Sequence, residues 1–430
     1  MAFTKILPAG ISTTGTVTLE RLETTNSIVS LGSTNQLYIN TDTPTVRPTL
    51  DLNFERDQRL DSRITFSRDS TATYLGSDGL IKTALAGEPR FEFDTNGNCL
   101  GLLIEESRTN VGTYSEDFSQ WTNDGVTIST NQTTSPDGNT TADLITGTSG
   151  NRRLYRIVVI SNGPVYTYSI FVKKNVGSTI RFDNINVGST STEFNFDTGV
   201  LTLSGVFTSG TVTSYPNGWY RLTFTYTSNG DSASLGPYFV NTNDSCYMWG
   251  YQFELGSFPT SYIPTSGSAV TRSADNASIT GTNFTDWFSG VSNASIFIDA
   301  KTPVGQSAGI DNRIISFRPT SGSNSYDVTF ASGSTPTLGV RAISNYAISQ
   351  KTLSFNTITK ISASISSGDL AISCDGELPV TSSATISNTF NALDIGRFDL
   401  SPYRYLNSTI KQLTYYPQRL SNDQLQNLTS

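Results

Sequence analysis

The chain has 430 residues, too many for one ordinary hydrophobic core, so two or three domains are expected. Apolar residues make up 36% and charged residues 15%, with 11% aromatic and Ser, Thr, Asn and Gly filling the gap; this excludes a disordered chain and favours half-buried strands joined by tight turns. A net charge of −8 without a Lys/Arg run speaks against nucleic acid as a partner, and the absence of histidine removes Ser-His-Asp and Cys-His catalysis and imidazole metal sites.

No stretch approaches the ~20 consecutive apolar residues that span a bilayer, and the N-terminus lacks the pattern of a signal peptide. A soluble protein made in a cytoplasm, without membrane insertion, is the expectation. Residues 1–45 are rich in Thr and Ser with short β-branched pieces, and such a segment is stable mainly when paired with a larger body. They read as an attachment segment, followed by the linker TDTPTVRP (Thr41 to Pro48).

Residues 46–110 read as a compact module of β-hairpins. Within it, ITF and TATYL alternate at period two, and SDG (Ser77 to Gly79) and DTNGN (Asp94 to Asn98) are tight turns. Residues 111–270 read as an antiparallel β-sandwich. Tyr166, Tyr168, Ile170 and Val172 share one face, and Tyr220, Leu222, Phe224 and Tyr226 oppose Arg221, Thr223, Thr225 and Thr227. The same alternation lines up Tyr247, Trp249, Tyr251, Phe253 and Leu255 opposite Cys246, Met248, Gln252 and Glu254.

Residues 271–430 read as a second antiparallel sandwich, through ASIFIDA, NRIISFR, YDVTFAS and ITKISASISSGDLAISCDGELPV. The last strand stops at Pro417, and Ser421 with Gln424 forms a capping box for one short helix whose apolar face is Leu425 and Leu428. The fold class is therefore all-β.

Chemistry is sparse. The stretch from Arg56 to Asp78 holds Arg56, Asp57, Arg59, Asp61, Arg63, Arg68, Asp69 and Asp78. A glycosidase pair is one reading of two of its carboxylates, but each has an arginine nearby, which lowers its pKa instead of raising it as a general acid needs. The expectation is a structural corner of Arg–Asp pairs, with Asp78 serving its turn, and no catalytic residue. Trp249, and less directly Trp219, read as core. Trp121, Trp287, Phe288, Tyr403 and Tyr405 stand in turn-like contexts and are the candidates for an exposed sugar-binding surface.

Cys99, Cys246 and Cys374 are far apart and odd in number, as befits small buried hydrophobes. Loops such as NTNDS (Asn241 to Ser245), or Asp394 with Asp399, offer oxygen ligands, but no calcium-loop pattern occurs and no metal is assigned. Nucleotide-binding glycine motifs are absent in any strand–helix context, and no cofactor is expected.

The stretch LDLNFERDQRLDSRITFSRDSTATYLGSDGLIKTALAGEPRFEFD, then LGLLIEESRTN, YSEDFSQWT, GWYRLTFTYT and YMWGYQFELGSFPTSYIPTSGSAVTRSAD, resembles a module of bacteriophage tail-fibre and related virion proteins. The resemblance covers roughly residues 48–280. Through DLAISCDGELPV and TIKQLTYYPQRLSNDQLQNL, the C-terminal part is similar to concanavalin A-like or laminin-G-like jelly rolls. The resemblance implies a non-enzymatic tail fibre, commonly a homotrimer, held to other virion proteins through residues 1–45 and binding host surface polysaccharide or lipopolysaccharide. A capsid decoration protein or head fibre of the same fold is the alternative, and a carboxylate-dependent glycan depolymerase ranks last.

Overall fold

The structure, a computed structural model, describes residues 44–184, 192–290, 292–306, 309–319, 325–331, 333, 335–343, 345–386, 389–398 and 404–430, together with the strands Leu22–Thr24, Ser27–Leu31 and Leu37–Ile39. Those three strands pair antiparallel in one small sheet; the rest of the expected attachment segment lies outside the described residues. The fold is all-β. Helix is confined, among the described residues, to Phe54–Asp57, Thr282–Thr285 and Asn422–Leu428 besides short 3-10 turns, and no described helix is long and apolar enough to cross a membrane.

One sandwich is formed between residues 111 and 270. Its larger sheet orders Val126–Thr133, Ala142–Gly147, Ser245–Leu255, Val165–Val176, Trp219–Thr227 and Phe207–Tyr215. The facing sheet orders Thr122–Asp124, Arg152–Val159, Ser232–Phe239, Thr179–Asn184, Thr192–Asn195 and Val200–Thr202. Between them lies a core built on large rings: Tyr168 from the first sheet stands 5.9 Å from Phe182 of the second, and both lie against Phe224. Bulky aromatics let a few positions span the gap between two sheets.

The alternation in CYMWGYQFEL does not hold across the whole strand. Gly250 adopts φ 65°, and there Tyr251 and Gly250 together oppose Ile170, so that Ser169 pairs Gln252 while Phe171 pairs Trp249. This extra residue reverses the parity. Cys246 and Met248 enter the core before it and Tyr251 and Phe253 after it, whereas Trp249 turns to the opposite face to meet Phe171, Trp219 and Tyr262. A Cβ at position 250 would stand 2.8 Å from the Phe171 ring, which is why the bulge carries glycine. The outer face of this sheet is thus buried too, beneath the SFPTSYIP segment: Thr260 donates to Glu254, and the Ile263 N–H to Gln252.

The second sandwich contains residues from both ends of the chain. Its seven-stranded sheet orders Asn345–Thr352, Thr337–Ile343, Ser325–Ala331, Asn312–Arg318, Ala392–Ile395, Asn276–Thr280 and Thr65–Ser67. Its eight-stranded partner orders Val380–Ser382, Leu370–Cys374, Ile358–Ser364, Ser295–Lys301, Ser408–Tyr416, Cys99–Ile104 and Phe91–Phe93, with Leu50–Asn53 beside the far half of Ser408–Tyr416. Residues 46–110 are therefore not a separate adaptor. Leu50, Leu52, Phe54, Leu102 and Ile104 need a core that a set of hairpins lacks, and they share one with Ile298, Leu413 and Tyr415. Only the hairpin Ala72–Leu75 with Ile81–Ala84 keeps its own sheet.

The first sandwich is consequently an insertion into the second. Its entry, Arg108–Asn110, and its exit, Val270–Arg272, pair antiparallel with each other. At the C-terminus Ser421 caps the helix as its sequence indicates, with Gln424 closing the capping box and Leu425 buried. Cys99, Cys246 and Cys374 are buried, and none is in a disulfide among the described residues.

Candidate functional site

The aromatic candidates of the sequence are not a surface. Asp117 caps the 3-10 turn Phe118–Gln120, accepting from the Ser119 N–H at 3.2 Å, and this turn drives Trp121 into the core, edge-on to Tyr251 at 4.7 Å. The helix Thr282–Thr285 lays Trp287 and Phe288 over Phe317 and Tyr415, with Trp287 only 4% exposed and Phe288 partly buried. Tyr405 is 6% exposed and donates to Asn276 Oδ1 at 3.0 Å. Tyr403 lies outside the described residues. The physical reason is common to the described four: a turn in sequence is where the chain closes the open end of a sandwich, and large rings make the closure.

The charged corner behaves locally as its pattern indicates, with one exception. Arg56 pairs Asp57 at 2.7 Å and Arg63 pairs Asp61 at 2.8 Å, and in each case the hydrogen-bonded guanidinium lowers the carboxyl pKa. Asp78 pairs Lys82 at 2.6 Å, while its Oδ1 accepts the Leu80 N–H across the turn. Arg68 is the exception: its partner is Asp275, 2.9 Å away and 207 residues on.

That contact belongs to a buried network at the junction of the two sandwiches. Asp275 accepts from Arg68, from Arg90 and from the Glu105 N–H. Glu105 meets Arg90 at 2.8 Å and Arg272 at 3.5 Å, and accepts from the Ser261 N–H at 2.8 Å and the Ser261 hydroxyl at 2.7 Å. Burial pushes the Glu105 carboxyl up, but Arg272, Arg90 and the Ser261 donors outweigh it and bring it down to about 2. Every member is almost fully buried, so the network fixes one sandwich on the other and leaves no edge for a ligand.

The site open to a ligand lies beside that corner, a surface pocket of about 230 Å³ whose polar lining is Asp51, Asn53, Asp57, Arg59, Asp61 and Ser62. Its shape follows from one turn of chain. Asn53 ends the strand Leu50–Asn53 and caps the helix Phe54–Asp57, its Oδ1 accepting the Arg56 N–H at 2.8 Å. Buried Phe54 anchors the helix; Gln58, at φ 45°, stops it in the left-handed conformation, and the chain returns through Arg59 to Ser62. Asp51 is held from the last strand by Gln412 Nε2 at 3.0 Å and Thr414 Oγ1 at 2.9 Å.

Carboxylates and an amide oxygen accept from hydroxyl groups, and Arg59 donates to a ring or glycosidic oxygen, a set suited to a polyol. The volume is below the ~300–1,000 Å³ typical of drug-sized sites and suits one sugar ring. Asp57, Arg59 and Asp61 stood out in the sequence, whereas Asp51, Asn53 and Ser62, and the pocket they enclose together, did not. Among the described residues no group of three or more His, Cys, Asp or Glu is placed to hold a metal ion, and Asp394 is engaged by Arg318 at 2.8 Å.

No protein-family model matches the chain, and no curated protein matches its sequence. Similar solved structures share its β architecture at low identity. The CBM40 of Ruminococcus gnavus IT-sialidase, bound to α2,6 sialyllactose, is 14% identical over 33% of this chain and 85% of its own, with a TM-score of 0.26. The tandem CBM22 domains of Paenibacillus barcinonensis Xyn10C are 14% identical over 73% of this chain and 97% of their own, with a TM-score of 0.22. Trypanosoma rangeli sialidase, in complex with sialic acid, is 8% identical over 67% of this chain and 60% of its own, with a TM-score of 0.29. The presence of this enzyme among the similar structures overturns the expectation of a chain without enzymatic activity, while a likeness of that size transfers no activity to it.

Proposed function

We propose that the chain is a bacteriophage virion fibre protein that attaches to host surface glycans, with the pocket between Asp51 and Ser62 as a glycan contact. The observation that carries the proposal is that pocket: three carboxylates, an amide, a guanidinium and a hydroxyl gathered in a cleft of sugar-ring size. The resemblance of residues 48–280 to tail-fibre modules supports the virion role. The buried ion network supports it too, because it holds two sandwiches as a stiff unit suited to carrying load between particle and cell. In a homotrimer, three such pockets would raise weak sugar binding by ~10²–10⁴ through avidity.

The test has two parts. Surface plasmon resonance of the purified chain on host polysaccharide and lipopolysaccharide should give saturable binding that Asp57→Asn with Asp61→Asn weakens; sialyllactose is included among the soluble probes. Gold-labelled antibody against residues 271–430 should then mark the virion tail. Label over the capsid would replace the tail fibre by a decoration protein or head fibre, and absence of label on the particle would defeat the virion role.

A further inference from the structure

Two residues of the pocket, Asp51 and Asn53, also begin two rows of side chains across the outer face of the eight-stranded sheet. Leu52, Ile298 and Leu413 face the core, so alternation turns Asp51, Asn53, Phe297, Asp299, Gln412 and Thr414 outward. Cross-strand pairing sets them in register. Asp51 stands beside Thr414 and Thr414 beside Phe297, while Asn53 stands beside Gln412 and Gln412 beside Asp299. With neighbouring strands ~4.8 Å apart, the rows reach ~10 Å beyond the strand that lines the pocket. Side chains join the two features: Gln412 Nε2 donates to Asp51 Oδ1 and to Thr414 Oγ1, both at 3.0 Å. On the next strand the helix Asn422–Leu428 bounds the rows, where Ser362, beside Phe297, donates to the Leu425 carbonyl at 2.7 Å.

The far end of the rows holds two groups that the fold does not use. Phe297 is partly buried, belongs to none of the hydrophobic clusters of the described residues, and has no described aromatic ring stacked on it. Asp299 makes no hydrogen bond or ion pair among the described residues, and its Oδ1 is buried without a partner. The cations near it are committed elsewhere, Lys411 to Glu55 at 2.7 Å and Lys360 to the Ser430 carbonyl oxygen at 2.7 Å. Burial outweighs both lysines and, with Glu55 and Asp375 acting in the same direction, pushes the Asp299 carboxyl up to about 6. A half-buried carboxylate without donors is destabilising, and hydroxyl groups of a ligand would supply what it lacks.

We infer that these rows continue the pocket as a binding strip for a glycan chain, with Phe297 stacking on the face of one sugar ring and Asp299 accepting from its hydroxyl groups. A sugar ring combines an apolar C–H face with a polar rim, and an aromatic ring beside a carboxylate matches both. The inference rests on the glycan-attachment reading and specifies its ligand as a chain of several sugars instead of a single terminal residue.

The test titrates the purified full chain calorimetrically with oligosaccharides released from host polysaccharide and sorted by length. Affinity should rise roughly tenfold from single sugars to the longer fragments, as one stacked ring and a hydrogen bond to a charged group would give. Asp299→Asn and Phe297→Ala should each cut that gain, whereas Phe297→Tyr, which keeps the ring, should retain it. In the wild type the gain should shrink below about pH 6, where Asp299 is protonated, and in Asp299→Asn it should not respond to pH.

Affinity that is independent of length in the wild type, or a gain that survives both Asp299→Asn and Phe297→Ala, overturns the strip while glycan attachment stands. Failure of every fragment and of the intact polysaccharide to bind overturns both.

Discussion

The molecule holds two arginine clusters of nearly the same composition that differ in how deeply they are buried. At the junction, Arg68, Arg90 and Arg272 surround Asp275 and Glu105, every group is almost fully buried, and Ser261 and the Glu105 N–H add donors to the two carboxylates. On the seven-stranded sheet, Arg313, Arg341 and Arg404 face Asp311 and Asp327 with two side chains still reaching water. The difference shows at the carboxylates. Arginines and Ser261 win over burial at Glu105, whose pKa falls to about 2, whereas burial wins at Asp327, whose pKa is raised despite Arg313 beside it. A buried ion cluster locks a structure when its charges and hydrogen-bond donors replace the water that burial removes.

The largest expected effect comes from cutting the lock. Asp275→Ala leaves buried guanidinium groups uncompensated and should lower the unfolding free energy in urea by about 3–5 kcal/mol. A loss below ~1 kcal/mol, the range of an exposed pair, would place the junction with surface salt bridges.

Acid should reach the junction next. The Glu105 pKa in the folded chain, about 2, lies below its ordinary 4.5, so the unfolded chain binds more protons between those values. The stability this carboxylate contributes is present above pH 4.5 and is lost as pH falls through about 2, on the order of 3 kcal/mol. Calorimetry of the wild type against Glu105→Gln over pH 2–5 reads it, and the two should converge at the acid end. Asp327 acts with the opposite sign: its raised pKa means that the folded chain binds more protons, so its contribution weakens as pH rises above 3.8.

On the other cluster, Arg404→Gln should change the unfolding free energy by less than ~1 kcal/mol, since the side chain is 30% exposed. A drop comparable to that of Asp275→Ala would make this cluster a second lock and remove the contrast. The smallest effect is expected at the pocket: Asp57→Asn should leave Tm unchanged within error while weakening polysaccharide binding, because its ion pair with Arg56 is solvated.

Local structure was legible in the sequence wherever one principle decided it. Period-two alternation marked the strands, the Ser421 cap and the Asp78 turn lay where their residue types put them, and the Arg56–Asp57 and Arg63–Asp61 pairs are close in sequence. Three features escaped that reading for separate physical reasons. Gly250 reversed the side-chain parity of its strand, and one glycine inside a regular pattern does not declare itself a bulge. Trp121 and Trp287 sit in turns, which says where the backbone goes and nothing of where a ring finds cover. The pairings of Leu50 with Tyr415 and of Arg68 with Asp275 join positions hundreds of residues apart, and no local pattern encodes them. For the pocket, Asp57, Arg59 and Asp61 were visible, whereas Asp51, Asn53 and Ser62 and the left-handed turn at Gln58 that folds them into a cleft were not.

The place of the strand Ser408–Tyr416 sets a timetable for synthesis. It lies between Ser295–Lys301 on one side and Leu50–Asn53 with Cys99–Ile104 on the other. A ribosome adding ~5–20 residues per second finishes the inserted sandwich well before it reaches this strand. For that interval the apolar faces of Leu50, Leu52, Leu102 and Ile104 wait on the nascent chain for a partner not yet made, and the sheet closes only after the strand Ser408–Tyr416 has emerged.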